Sequence, residues 1–229
     1  MKNFKAFTLA EVLAVIGIIG VVAALTLPNL SNSTNDMEYV AMLKKTTANL
    51  QNAIEVAKDK YGDFATWTKS AANASDRAQI VADRLSDYLI PMKVCGTATG
   101  CFSSSVAKAI AGDNGTSFDS IENAYKYILK DGTSLAFVVA ENGRTEIYID
   151  LDGPNKGANT VGRDLFGVNF DTNGNISLLP MEALVANNAI AKCRQAADSF
   201  ACAAWVDAFD NNDYIRCANL SYDGNITCK

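Results

Sequence analysis

Glu11 is the only ionisable side chain between Phe7 and Leu27. A charge in the middle of an apolar helix costs roughly 2.5–3.5 kcal/mol in a bilayer. The chemistry open to such a carboxylate is pairing with a cation, which makes the cost tolerable. A second group of oxygens lies in DLDGPNKGANTVGRDLF, where Asp150, Asp152, Asn155, Asn159 and Asp164 sit among glycines. Hard oxygen ligands in a curling loop suit calcium. The spacing is not that of an EF-hand, because the later ligands and the closing Glu are missing. The competing reading is a turn-rich loop in which Asp and Asn bond their own backbone. The six cysteines all follow the apolar run, and none form a CxxC. That is a disulfide framework of an exported protein, and no zinc motif has this spacing.

Catalytic chemistry has little to work with. The chain has no histidine, which removes the commonest general base, the commonest zinc ligand and every His-dependent triad. GxSxG and P-loop motifs are missing too. The formal charge of −5 leaves no nucleic-acid footprint.

The segment that positions Glu11 comes next. Phe7 to Leu27 is 21 residues, about 31 Å of helix, enough to cross a hydrocarbon core. Lys2 and Lys5 precede it, so its start stays cytoplasmic and the rest is exported. A plain anchor and a signal peptide cut near Ala24 both fit the greasy run. Glu11 argues against both, since neither gains from the charge, and Pro28 follows closely on the Ala24 cut.

KAFTLAEVLAVIGIIGVVAALTLP resembles the N-terminal signature of type IV prepilins and type II secretion pseudopilins. The resemblance implies cleavage between Ala6 and Phe7 by a prepilin peptidase, then N-methylation of Phe7. Ala6 departs from the family's usual glycine. Glu11 is the fifth residue of the mature chain, where the family has a Glu that neutralises a neighbour's N-terminal amine during assembly. Pro28 matches a proline near the end of the membrane run. Gly17 and Gly20 allow close helix approach. The implied partners are the peptidase/N-methyltransferase, other pilin or pseudopilin subunits, an inner-membrane assembly platform and inner-membrane lipid. The implied location is the bacterial inner membrane, single-pass, with later extraction into a filament. Major pseudopilins carry a calcium loop near their sheet, which makes calcium the one cofactor to test at Asp150, Asp152, Asn155 and Asp164. The alternatives are a minor pilin binding module, for adhesion or DNA uptake, and a membrane-tethered exported enzyme.

The rest of the chain gives the scaffold. NLSNSTND after Pro28 is poor in helix formers, which predicts a kink or local melting. Tyr39, Leu43, Thr47, Leu50, Ile54, Ala57 and Tyr61 then recur at helical spacing up to Gly62, so a helix of roughly 80 Å in all would lay its stripe under a sheet. A shorter helix is expected over Asp76–Leu89, stopped by Pro91. YKYILK, SLAFVVA and TEIYIDL read as strands joined at Asp131-Gly132 and Asn142-Gly143, with FGVNF and NISLL a further pair around Asn173-Gly174. The tail from Pro180 holds a helical segment and four cysteines. Phe64 and Trp67 read as packing residues rather than a binding surface.

The fold class is therefore α+β, the pilin-like architecture that the resemblance implies. A long N-terminal helix packs on an antiparallel sheet of four or five strands, with a disulfide-rich C-terminal segment. The domains are a leader (1–6), a transmembrane and assembly helix (7–28), its amphipathic continuation (29–62) and a head (63–229). Six cysteines allow fifteen pairings. Short loops favour Cys95–Cys101, Cys193–Cys202 and Cys217–Cys228, and a crossed pairing within the last four stays open.

Overall fold

The computed structural model describes residues 8–156, 159–178, 181–186 and 188–228; the side chains of 23–35, 112–114, 116, 181–182 and 196 lie outside that description. The chain divides into two units, Met1–Glu38 and Tyr39–Lys229.

Helix α1 runs Leu9–Tyr61. The stretch after Pro28 is helical, so the expected local melting does not occur. A proline removes one backbone donor, and the turns on either side carry the helix past it. In the second unit the predicted stripe is the packing face. Leu43, Leu50, Ile54 and Ala57 are buried, as are Val40 and Ala53 beside them. They join one core with the strands. Gln51 fixes the helix to the loop after the last strand: its Nε2 donates to Gly174 O at 3.2 Å and its Oε1 accepts from Ile176 N at 2.9 Å. Gly174 must be glycine there. Its φ is +82°, and a Cβ would stand 2.8 Å from Ile54 Cγ2.

α1 stops at Gly62, and a 3₁₀ turn over Phe64–Thr66 follows. The Phe64 and Trp67 rings pack at a tilt of 52° with centroids 4.8 Å apart, and both residues are buried. They are core residues. Helix α2 spans Ala74–Leu89 and is N-capped by Asn73, whose side chain accepts from Asp76 N. Ile90 ends it in the left-handed region, φ 50°.

Among the described residues seven strands follow: β1 (Pro91–Gly96), β2 (Ala107–Ala109), β3 (Gly112–Thr116), β4 (Tyr125–Leu129), β5 (Ser134–Val139), β6 (Thr145–Asp150) and β7 (Leu165–Phe170). The main sheet has the order β1-β4-β5-β6-β7 and is antiparallel throughout. β2 and β3 form a separate hairpin. The turns at Asp131-Gly132 and Asn142-Gly143 close the central hairpins, with Gly132 N bonding Leu129 O and Gly143 N bonding Ala140 O, both at 3.0 Å. One expectation fails. NISLL is not a strand; its pairing with β7 is confined to the bridge Phe170 to Ile176, closed by Asp171 N to Asn175 O and Ser177 N to Asn169 O, while the Ile176 amide faces away from β7 and bonds Gln51 Oε1 of α1.

The C-terminal part holds α3 (Met181–Ala186), α4 (Ala189–Ala196) and α5 (Ser199–Phe209). Gly167 in β7 lets α5 come close, since a Cβ there would lie 2.6 Å from Ser199 Oγ. The cysteines are bonded as Cys95–Cys101, Cys193–Cys202 and Cys217–Cys228, with Cα separations of 6.0, 5.0 and 5.9 Å. Each bridge is held by its surroundings. The Asp119 carboxylate accepts from Gly100 N, Cys101 N and Phe102 N, and its own carbonyl accepts from the buried Lys126 ammonium. Cys193–Cys202 ties α4 to α5. The Arg194 guanidinium donates to the carbonyls of Tyr214 and Cys217, and Cys228 N donates to Asp213 Oδ2 at 2.9 Å.

Candidate functional site: the helix start and the acidic loop

The first helical residue is Leu9, so Thr8 stands at the N-cap and Glu11 at the third helical position. The two close a capping box. Thr8 N and Thr8 Oγ1 both donate to Glu11 Oε2 at 2.9 Å, and Glu11 N donates back to Thr8 Oγ1 at 3.3 Å. The carboxylate also stands where the positive end of the helix dipole favours it. Beyond it the helix is apolar on every side. Leu9, Leu13, Ile16, Ile18, Ile19, Val21 and Val22 are all more than half exposed in the isolated chain. A helix apolar all round needs an apolar environment outside its own chain. At Gly17 and Gly20 an added Cβ would meet nothing within 4 Å, so these positions are open along the helix.

Residues 1–27 match the prokaryotic N-terminal methylation motif. This is a prepilin-type N-terminus. It is the cleavage and methylation signature of type IV pilins and pseudopilins, and it points to a structural subunit. The α+β fold, a long helix on a five-stranded antiparallel sheet, is consistent with the pilin-like architecture. Comparison with characterised proteins and with solved structures gives no match. Ala6 and Phe7 lie outside the described residues, as does the side chain of Pro28, the residue after the matched segment. Among the described residues no helix is long and apolar enough to cross a membrane; the side chains of the run are described only as far as Val22.

Thr8 was not singled out from the sequence. Its signal was there: T-x-x-E immediately before an apolar helical run is the capping-box pattern.

The acidic loop leaves β6. Asp150 Oδ1 accepts from Gly153 N at 2.9 Å. The Asp164 oxygens accept from Thr160 N and Asn159 N, both at 2.7 Å. Asp152 Oδ2 accepts from the Tyr39 hydroxyl at 2.7 Å. Asn155 is exposed. Burial, with Asp152 and then Asp164 nearby, pushes Asp150 up to about 8. Burial and the Asp152 charge also push Asp164 up. These carboxyls are close enough to repel, and backbone amides hold one oxygen of Asp150 and both of Asp164. One buried oxygen, Asp152 Oδ1, has no hydrogen-bond partner. Calcium wants six to eight oxygens. Among the described residues no group of three acidic, Cys or His side chains is arranged to hold a metal ion. In its described part the loop is a turn in which Asp150 and Asp164 accept from their own backbone amides.

Proposed function

We propose that the chain is a pilin or pseudopilin, cut between Ala6 and Phe7, methylated on the new Phe7 amine and assembled into a type IV pilus or type II secretion pseudopilus. The observation that carries this reading is the methylation motif over residues 1–27. Three features support it. The run from Phe7 to Leu27 is long enough to hold the subunit in the inner membrane before assembly. Lys2 and Lys5 keep its start cytoplasmic. Glu11 is the fifth residue counted from Phe7, near the start of the apolar run, where a neighbour's amine can neutralise it.

The partners on this reading are a prepilin peptidase/N-methyltransferase, an inner-membrane assembly platform, lipid and further subunits. The head beyond the helix is the exported part, and its three disulfides suit an oxidising exterior. The test is fractionation of the producing cells. The processed chain should appear both in the inner membrane and in sheared fibres or an overproduced pseudopilus. A chain that stays in the membrane under conditions where other subunits polymerise would overturn the assignment.

A further inference from the structure

We propose that Thr8 is a positioning residue for assembly, holding the Glu11 carboxylate at the helix start in the orientation from which it meets a neighbour's amine. The proposal rests on the pilin reading above and adds a residue to it.

The geometry is reciprocal. One hydroxyl, Thr8 Oγ1, donates to Glu11 Oε2 and accepts from Glu11 N. The Thr8 amide donates to the same Oε2. Both donors land on one carboxylate oxygen, and Oε1 accepts from no protein group among the described residues. Glu11 is thus half committed: Oε2 fixes the side chain to its own helix start, and Oε1 is left to a second donor.

An unconstrained Glu has three rotatable side-chain bonds, and fixing them costs conformational entropy. The box meets that cost within the subunit, before any neighbour arrives. It also turns the carboxylate toward the N-terminal end of the helix, the end that carries the Phe7 amine in each mature subunit. Cleavage before Phe7 leaves the Phe7–Thr8 peptide intact, so the Thr8 amide and hydroxyl survive processing. A hydroxyl is required because the same atom must both donate and accept. Serine can do this; valine has threonine's shape and can do neither.

The experiment uses the full chain in cells with a working assembly machine. Thr8→Val should insert and lose MKNFKA like the wild type, yet enter fibres roughly fivefold less or worse, in line with loss of an N-cap. Thr8→Ser should assemble to within about twofold of wild type, since it keeps the cap. A second readout checks the box itself. In the detergent-held subunit, exchange of the Glu11 amide should be slow in wild type and Thr8→Ser and faster in Thr8→Val. Wild-type fibre incorporation by Thr8→Val would overturn the proposal. So would a Thr8→Ser defect as deep as that of Thr8→Val, or Glu11 amide exchange unchanged by Thr8→Val. Loss of MKNFKA is scored separately in every variant, so a failure of the pilin reading shows as an uncut chain and is not confused with a failure of Thr8.

Discussion

The Tyr39 hydroxyl donates to Asp152 Oδ2 at 2.7 Å, across 113 residues of sequence. This bond ties the start of the packed half of α1 to the loop leaving β6. Asp152 in turn lies beside Asp150 and Asp164, so the helix is anchored to a crowded group of carboxyls. The burial of Tyr39 and its bond to Asp152 push the phenol well above its ordinary range, and it stays a donor at every physiological pH.

Burial of these carboxyls, with their mutual repulsion, makes the head sensitive to alkali. Asp150 is raised to about 8 in the folded chain and Asp164 is raised too, whereas an unfolded Asp titrates near 3.9. Between these values the folded state holds more protons than the unfolded one. Stability therefore falls as pH rises from about 5 through 8. Asp87, Asp131 and Asp171 are lowered instead, and their contribution is lost only in acid. Thermal melts at pH 5.5 and 8.5 should show the higher Tm at the lower pH. Asp152→Asn should narrow the gap by a few degrees, at roughly 2–4 °C per kcal/mol for a chain of this size. Equal melting at both values, or a rise toward pH 8.5, would contradict the cluster.

Calcium should change nothing. One oxygen of Asp150 and both of Asp164 are already on backbone amides, so Tm in excess calcium and in chelator should coincide. A clear rise in calcium, abolished by Asp152→Ala, would show that the loop rearranges into a metal site.

Glu11→Val removes a charge from the apolar run. The variant should insert and be cut, then fail to enter fibres. Normal incorporation would mean that the carboxylate serves something other than pairing.

Gly162 lies against the Cys193–Cys202 bridge. Its φ is +84°, and a Cβ would lie 2.6 Å from Cys202 Sγ and 3.2 Å from Cys193 Sγ. Its carbonyl accepts from the Tyr214 hydroxyl at 2.6 Å. Gly162→Ala should cost about 1–3 kcal/mol, the usual range for overpacking a filled core. A denaturant melt measures it. Non-reducing peptide mapping of the wild type should find the three bridges and no free thiol; alkylation without reductant would contradict that.

Much of the architecture could be read in advance, and the reasons are local. Leu43, Leu50, Ile54 and Ala57 carry a helical period whatever packs on them, and Asp131-Gly132 and Asn142-Gly143 supply turns that only a hairpin uses. β1 was not legible. It opens with a proline directly after a helix, pairs with β4 through two register shifts and buries no alternating face. The β2–β3 hairpin has no run of β-branched residues, so tertiary context makes it. NISLL had the composition of a strand but pairs with β7 only at the Phe170–Ile176 bridge, and its outward amide at Ile176 is taken by Gln51 of α1, a contact visible only in three dimensions. At the site, the value of Glu11 came from its isolation in an apolar run. The use of Asp150 and Asp164 depended on which amides the loop brings to them, and spacing does not encode that.

The intact mass of protein extracted from membranes tests most directly whether this chain is a processed prepilin. The expected species begins at Phe7, lacks MKNFKA, carries one methyl group on its amine and retains three disulfides. Dependence of that mass on an active prepilin peptidase should be complete. A chain that keeps Met1 in the presence of the peptidase, or one that begins near Leu25, would contradict it.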